Sequence, residues 1–116
     1  METYRKTYRI NDPVGRFDVA AIIDDKCIGG IQCEMDEDSM TISRIAVDPV
    51  HRGKGIGSNL IENAIDHARS LGLKTITLGT SEFQGRPFYE SFAFKVIHKR
   101  DDNPKGYKNY TMIKEL

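Results

Sequence analysis

The chain has 116 residues and a mass of 13.1 kDa, with 39% hydrophobic and 29% charged residues, and its 17 basic side chains balance its 17 acidic ones. That length supports one domain, 1–116, built on one core. The balanced charge argues against a nucleic-acid or membrane surface as partner, no apolar run is long enough to span a bilayer, and the start METYRKTYRI lacks the apolar segment of a secretion signal, so the expected location is the cytoplasm.

Tyr4, Tyr8 and Ile10 alternate with polar residues and predict a first edge strand, turned by Asn11-Asp12-Pro13-Val14-Gly15. Phe17, Val19, Ala21 and Ile23 predict a second strand, Asp24-Asp25-Lys26 a tight turn, and Ile28 to Met35 a third strand paired with the second. Cys27 and Cys33 make no disulfide framework and are expected to be thiols filling apolar space on one strand face. Met40 to Val47 is apolar on both faces near its end, as a central strand is, and Asp48-Pro49 closes it. The period then changes: Ile56, Leu60, Ile61, Ala64, Ile65, Ala68 and Leu71 recur at helical spacing, with Gly72 placed to end the helix. Thr75 to Leu78 returns as a strand, so strand, helix and strand predict a parallel pair. A short helix over Arg86 to Phe92, a strand at Phe94 to His98, a polar turn at 100–106 and a last strand at Tyr107 to Lys114 complete a mixed sheet with about two helices.

The helix begins in an unusual place. Gly53, Gly55 and Gly57 occupy alternate positions, interleaved with Arg52 and Lys54 and led by His51, where helix formers normally stand. A helix N-terminus presents unpaired N–H groups and the positive end of its dipole. Glycines let an anion approach, while Arg52, Lys54 and Ser58 add side-chain donors. The alternative is a chain reversal with solvated basic side chains, and the physics leaves both readings open. The spacing is neither the G-x-G-x-x-G of a dinucleotide fold nor the Gly-Lys-Ser/Thr of a P-loop.

Arg52-Gly53-Lys54-Gly55-Ile56-Gly57, at the junction of a central strand and a long helix, resembles the acyl-CoA pyrophosphate loop of the GNAT superfamily of N-acetyltransferases. Ile45-Ala46-Val47-Asp48-Pro49 looks like that family's cofactor-facing strand and its exit, and Phe88-Tyr89-Glu90-Ser91-Phe92-Ala93-Phe94 is similar to its later FYEKLGF helix and turn. The runs LGTSEFQGRPFYESFAF and NPKGYKNYTMIKEL are similar to a bacterial branch of small members, and the resemblance covers roughly residues 17 to 116. Two departures stand out. Ala93 occupies a position where many members have glycine, and only about sixteen residues precede Phe17, where most members have a strand and two helices that wall the acceptor pocket.

The resemblance implies an α/β (α+β mixed sheet) GNAT-like acyltransferase fold with a shortened N-terminus lacking the usual first helices, and acetyl-CoA as co-substrate without a metal. It assigns cofactor binding to Ile45, Ala46, Val47, Arg52, Gly53, Lys54, Gly55, Ile56, Gly57 and Ser58. By the same analogy Tyr89 is the general acid beside the cofactor sulfur, against a plain core role beside Phe88 and Phe92. A main-chain N–H around Ala46 or Val47 is the oxyanion donor, and the backbone of Ile45 and Val47 pairs with the pantetheine arm. For the base, Glu34 is the first candidate, with Glu82, His51 and Asp48 as others; His67 and His98 read as surface residues, and no histidine spacing suits a metal. The functional expectation is direct acetyl transfer to the primary amine of an acceptor, with a coenzyme-binding sensor module or an interaction domain as alternatives. A homodimer whose second copy completes the acceptor wall is a further expectation.

Overall fold

Period-two alternation builds the first half of the sheet. The computed structural model describes residues 6–11, 15–81, 85–100 and 109–116. Tyr4, the turn residues 12–14, Glu82, the 101–106 turn and residues 107–108 lie outside them. Strands β1 (Lys6–Asn11), β2 (Arg16–Ile23), β3 (Lys26–Met35) and β4 (Ser39–Val47) follow one another as antiparallel neighbours. Four residues, 12–15, separate β1 from β2 in the chain. Asp24 and Asp25 both adopt positive φ, 51° and 65°, the geometry a two-residue hairpin turn requires.

Helix α1 (Ile56–Ser70) crosses back so that β5 (Thr75–Ser81) pairs parallel with β4, and α2 (Arg86–Glu90), β6 (Lys95–Arg100) and β7 (Asn109–Glu115) complete the chain. Among the described residues the sheet has seven strands in the order β1-β2-β3-β4-β5-β7-β6. The bounds differ from the sequence expectation by one to three residues, as element ends do, except that α2 is a single turn rather than a helix to Phe92. Among the described residues no helix is long and apolar enough to cross a membrane.

Both helices lie on one face. α1 buries Leu60, Ile61, Ala64, Ile65 and Ala68 against Phe17, Val19, Ala21, Ile31, Met40 and Ile42 of β2 to β4. Tyr110 and Met112 of β7 share this face through the Ile42↔Leu78↔Met112 register, and Arg86 of α2 places its guanidinium 4.9 Å above the Tyr110 ring. Each helix ends in the same device, an amide bonded five residues back across a left-handed residue. Leu73 N–H bonds Ala68 O at 3.0 Å across Gly72, and Phe94 N–H bonds Tyr89 O at 3.3 Å across Ala93, whose φ is 69°. The alanine thus adopts the glycine-like geometry rather than a different turn.

Three sequence expectations are corrected here. Cys27 and Cys33 do not share an environment, because Ile28 is an extra residue in β3 opposite Ala21 and Ile22 that breaks the alternation; Cys33 is buried and Cys27 exposed. Burial, with the charge of Asp18 nearby, pushes the Cys33 thiol up to about 12. His67 is half-buried, not a surface residue, and stacks on Phe17 at a ring separation of 3.9 Å. The third correction concerns β4. Its apolar residues on both faces reflect a bulge: Cys33 faces Ile42 and Gln32 faces Arg44, so Ser43 is an inserted residue. Side chains up to Ile42 point at α1 on even numbers. Beyond Ser43 the phase reverses, so Ile45 and Val47 pack toward the core while Arg44 and Ala46 are exposed on the other face.

Candidate active site

The bulge coincides with a fork in the sheet. β4 and β5 pair only from Ser39↔Thr75 to Ile42↔Leu78, after which β4 runs on to Val47 and β5 to Ser81 without each other. Asp48 N–H bonds Ile28 O at 2.7 Å, which sets the phase of the β3–β4 ladder. In an antiparallel ladder alternate residues bond the neighbour, so Arg44 and Ala46 spend their main-chain groups on β3 while those of Ile45 and Val47 point into the fork. Of the two oxyanion donors expected from the sequence, Ala46 is therefore turned away, and Ile45 joins Val47 as a strand N–H facing the opening.

A cleft of ≈ 850 Å³ fills this fork, walled by Ser43 to Val47 on one side and Leu78, Gly79 and Thr80 on the other. At its upper end, Asp48 caps a short 3-10 turn (Pro49–His51) by accepting from Val50 N–H at 3.1 Å, and Arg52 Nε returns to Val47 O at 3.4 Å. Asp48 thus has a capping task, and it is not among the residues lining the cleft. Gly53 and Gly55 follow with φ of 81° and 78°, conformations that an L side chain rarely adopts, and a Cβ on either meets nothing within 4 Å. Their constraint is conformation and open space, not crowding. Gly55 is the N-cap of α1 and offers no side-chain cap, so the N–H groups of Ile56, Gly57 and Ser58 remain unspent at the mouth of the cleft.

Of the expected cofactor residues, Ile45, Ala46, Val47, Arg52, Gly53, Gly55, Ile56, Gly57 and Ser58 all line the cleft, and Lys54 does not, its side chain being exposed. His51, Arg44, Gly79, Thr80 and Phe88 line it without having been assigned there from the motif. The His51 Nδ1 atom is buried with no hydrogen-bond partner among the described residues. Phe88 reaches the first turn of α1, since a Cβ on Gly57 would lie 3.5 Å from its ring.

Tyr89 lines the lower part of the cleft and is 7% exposed, wedged between Phe88 at 5.2 Å and Phe94 at 6.1 Å in edge-on contacts. Burial raises its phenol above the ordinary tyrosine value, so it stays protonated throughout the neutral range. Tyr89 is thus packed among core aromatics and also lines the cleft. Glu34 is not brought to the cleft. It is exposed on β3 opposite Arg16 and Thr41, and four residues of strand, roughly 13 Å, separate it from Gly30 beside Ala46. No carboxylate lines the cleft among the described residues, and none of them forms a group of three or more potential metal ligands.

Comparison with known proteins gives this geometry a family. Residues 1–94 match the model of the acetyltransferase (GNAT) family. A blasticidin-S acetyltransferase of Streptomyces morookaense is 29% identical over 89 residues, which is 76% of this chain and 65% of that protein. A glucosamine 6-phosphate N-acetyltransferase of Trypanosoma brucei brucei is 39% identical over 59 residues, 51% of this chain and 39% of the other. Across the curated relatives it matches, the chain spans 33% to 65% of their length. Among solved structures, the ribosomal-protein-S18-alanine N-acetyltransferase of Escherichia coli superposes with a TM-score of 0.81 at 22% identity, covering 90% of this chain and 72% of that one. An aminoglycoside 6′-N-acetyltransferase complexed with coenzyme A superposes at 0.78 and 20% identity, covering 88% and 73%. At these identities the structures establish a shared fold.

Proposed function

The chain belongs to the acetyltransferase (GNAT) family, and from that premise we propose that it transfers an acetyl group from acetyl-CoA directly to the primary amine of an acceptor. The observation that carries this reading is the fork between β4 and β5, with unspent strand N–H groups along one edge, a bare helix N-terminus at one end and a buried phenol at the other. A pyrophosphate fits the Gly53–Ser58 turn, where helix amides and Arg52 meet an anion, and an extended pantetheine arm fits the edge at Ile45 and Val47 as an added strand. His51, with its buried orphan nitrogen, is one more group for that ligand.

Acetyl-CoA, when bound, supplies the activated acyl carbon and a thiolate leaving group. With the Val47 N–H and the Ile45 carbonyl paired with the pantetheine arm, the Ile45 N–H, deeper in the fork, is left to stabilise negative charge on the carbonyl oxygen as the amine nitrogen adds to the carbon. Tyr89 gives its proton to the sulfur as the carbon–sulfur bond breaks, the nitrogen loses its own proton to water, and solvent returns a proton to the Tyr89 phenolate. Among the described residues no carboxylate lines the cleft, and of the candidate bases His51 is the one that lines it. Relatives are named for blasticidin S, glucosamine 6-phosphate and a ribosomal protein, so they suggest no common acceptor.

The test is release of CoA thiol from acetyl-CoA in the presence of a broad amine panel. Amine-dependent release supports the proposal. Acetyl-CoA binding with no release across the panel would identify a coenzyme-binding module instead, and no binding at all would leave the glycine loop without its ligand.

A further inference from the structure

The face of the sheet turned away from α1 carries a second cavity, a trough of ≈ 420 Å³ lying across β2, β3 and β4. Cross-strand register explains its shape. Ala20, Gly30 and Ala46 pair in one row and give a floor almost without side chains, while Asp18, Gln32 and Arg44 pair in the next row and form a polar wall. A Cβ on Gly30 would lie 3.0 Å from Val19 O, so a larger residue there is crowded by the neighbouring strand. Arg44 and Ala46 line both this trough and the fork, so the two cavities meet across β4 where strand groups of Ile45 and Val47 face the opening.

Charge along the wall is uneven. Asp18, at the far end, is engaged by Arg16 at 3.3 Å. Arg44, at the fork end, makes no ion pair or hydrogen bond among the described residues, and the bulge at Ser43 is what turns it outward instead of toward α1. A guanidinium without a partner among the described residues, beside a nearly side-chain-free floor, complements a planar or tetrahedral anion.

Building on the acetyl-transfer reading, we propose that the trough is the acceptor site and that Arg44 selects amines bearing a carboxylate or phosphate a few bonds from the nitrogen. The acceptor approaches from the face opposite the helices, its amine over the fork at Ala46. Arg44 and Ala46 are two strand residues apart, roughly 7 Å along β4. Arg44 is a specificity-determining residue here, and the coenzyme is held by the other face.

The experiment compares amines in matched pairs that differ only in the anion: amino acids against their carboxamides, and aminosugar phosphates against the free aminosugars. Each pair is assayed with the wild-type chain, Arg44→Ala and Arg44→Lys, alongside acetyl-CoA affinity for all three. The expected result is at least a tenfold preference in kcat/KM for the anionic member of one class, reduced to near parity in Arg44→Ala and partly restored in Arg44→Lys, with acetyl-CoA affinity within twofold throughout. Equal treatment of every pair, whether both members react or neither does, overturns the proposal, as does an Arg44→Ala variant whose loss lies in acetyl-CoA affinity. Failure of wild type to bind acetyl-CoA would instead defeat the transfer reading on which this rests.

Discussion

On one side of the sheet, α1 and α2 cover the strands and frame a cleft whose donors are main-chain amides: those of Ile45 and Val47 and of the first turn of α1. On the other side, the trough is defined by side chains from three strands, Asp18, Gln32 and Arg44, over a floor of small residues. The two cavities meet at β4. A ligand read by backbone needs only a glycine string and a helix start, which occupy adjacent positions in the chain. A ligand read by side chains depends on register, and register at this site is reset by a single inserted residue, Ser43.

The largest effect should come from loading the backbone side with charge. Gly55→Glu puts an anion where the phosphate belongs and a side chain on a residue at φ 78°, and acetyl-CoA affinity measured by calorimetry should fall by about 10²-fold or more while far-UV circular dichroism stays native. Unchanged affinity would detach the loop from the coenzyme. Next in size is Tyr89→Phe, expected to lower kcat by roughly 10²-fold with acetyl-CoA affinity intact, because the phenol acts in the transfer step and its ring is retained. A wild-type rate would return Tyr89 to the core alone.

Smaller effects sharpen the contrast through stability. Cys33 lies under the trough on the core side, and its thiol is raised from 9.0 to about 12. A raised folded value means the unfolded chain releases its proton first as pH rises, so the stability this thiol contributes is full below pH 9 and is lost between pH 9 and about 12. Urea unfolding across pH 8 to 11 should show an alkaline slope, up to about 1.4 kcal/mol per pH unit from this group, that Cys33→Ala lacks. Identical slopes would mean the thiol is not what titrates. The smallest effect is Ala93→Gly, which relieves a left-handed alanine and should stabilise the chain by about 0.5–1 kcal/mol after the entropy cost of glycine is counted. A loss of stability there would show that the alanine methyl contributes packing worth more than the strain.

The strands, the parallel crossover and the glycine turn before α1 were legible because each rests on local periodicity or on glycines beside a helix start. Gly72 was read as a helix end and serves as one. What local pattern hid was non-local. Nothing in Thr41-Ile42-Ser43-Arg44-Ile45 marks Ser43 as the bulge, so β4 read as buried on both faces and Arg44 went unnoticed. Glu34 looked suitable as a base by residue type alone, and only the register places it far from the fork. The split of Cys27 from Cys33 has the same origin, an extra residue at Ile28.

The central claim is that the fork and the glycine turn hold acetyl-CoA, and thermal unfolding with and without it, with Gly55→Glu as control, tests that most directly. At a ligand concentration about 100 times the dissociation constant, binding should add ~2.7 kcal/mol and raise Tm by several degrees in the wild-type chain, with no rise in the variant. A folded wild-type protein whose Tm does not move with acetyl-CoA, or moves equally in Gly55→Glu, would contradict it.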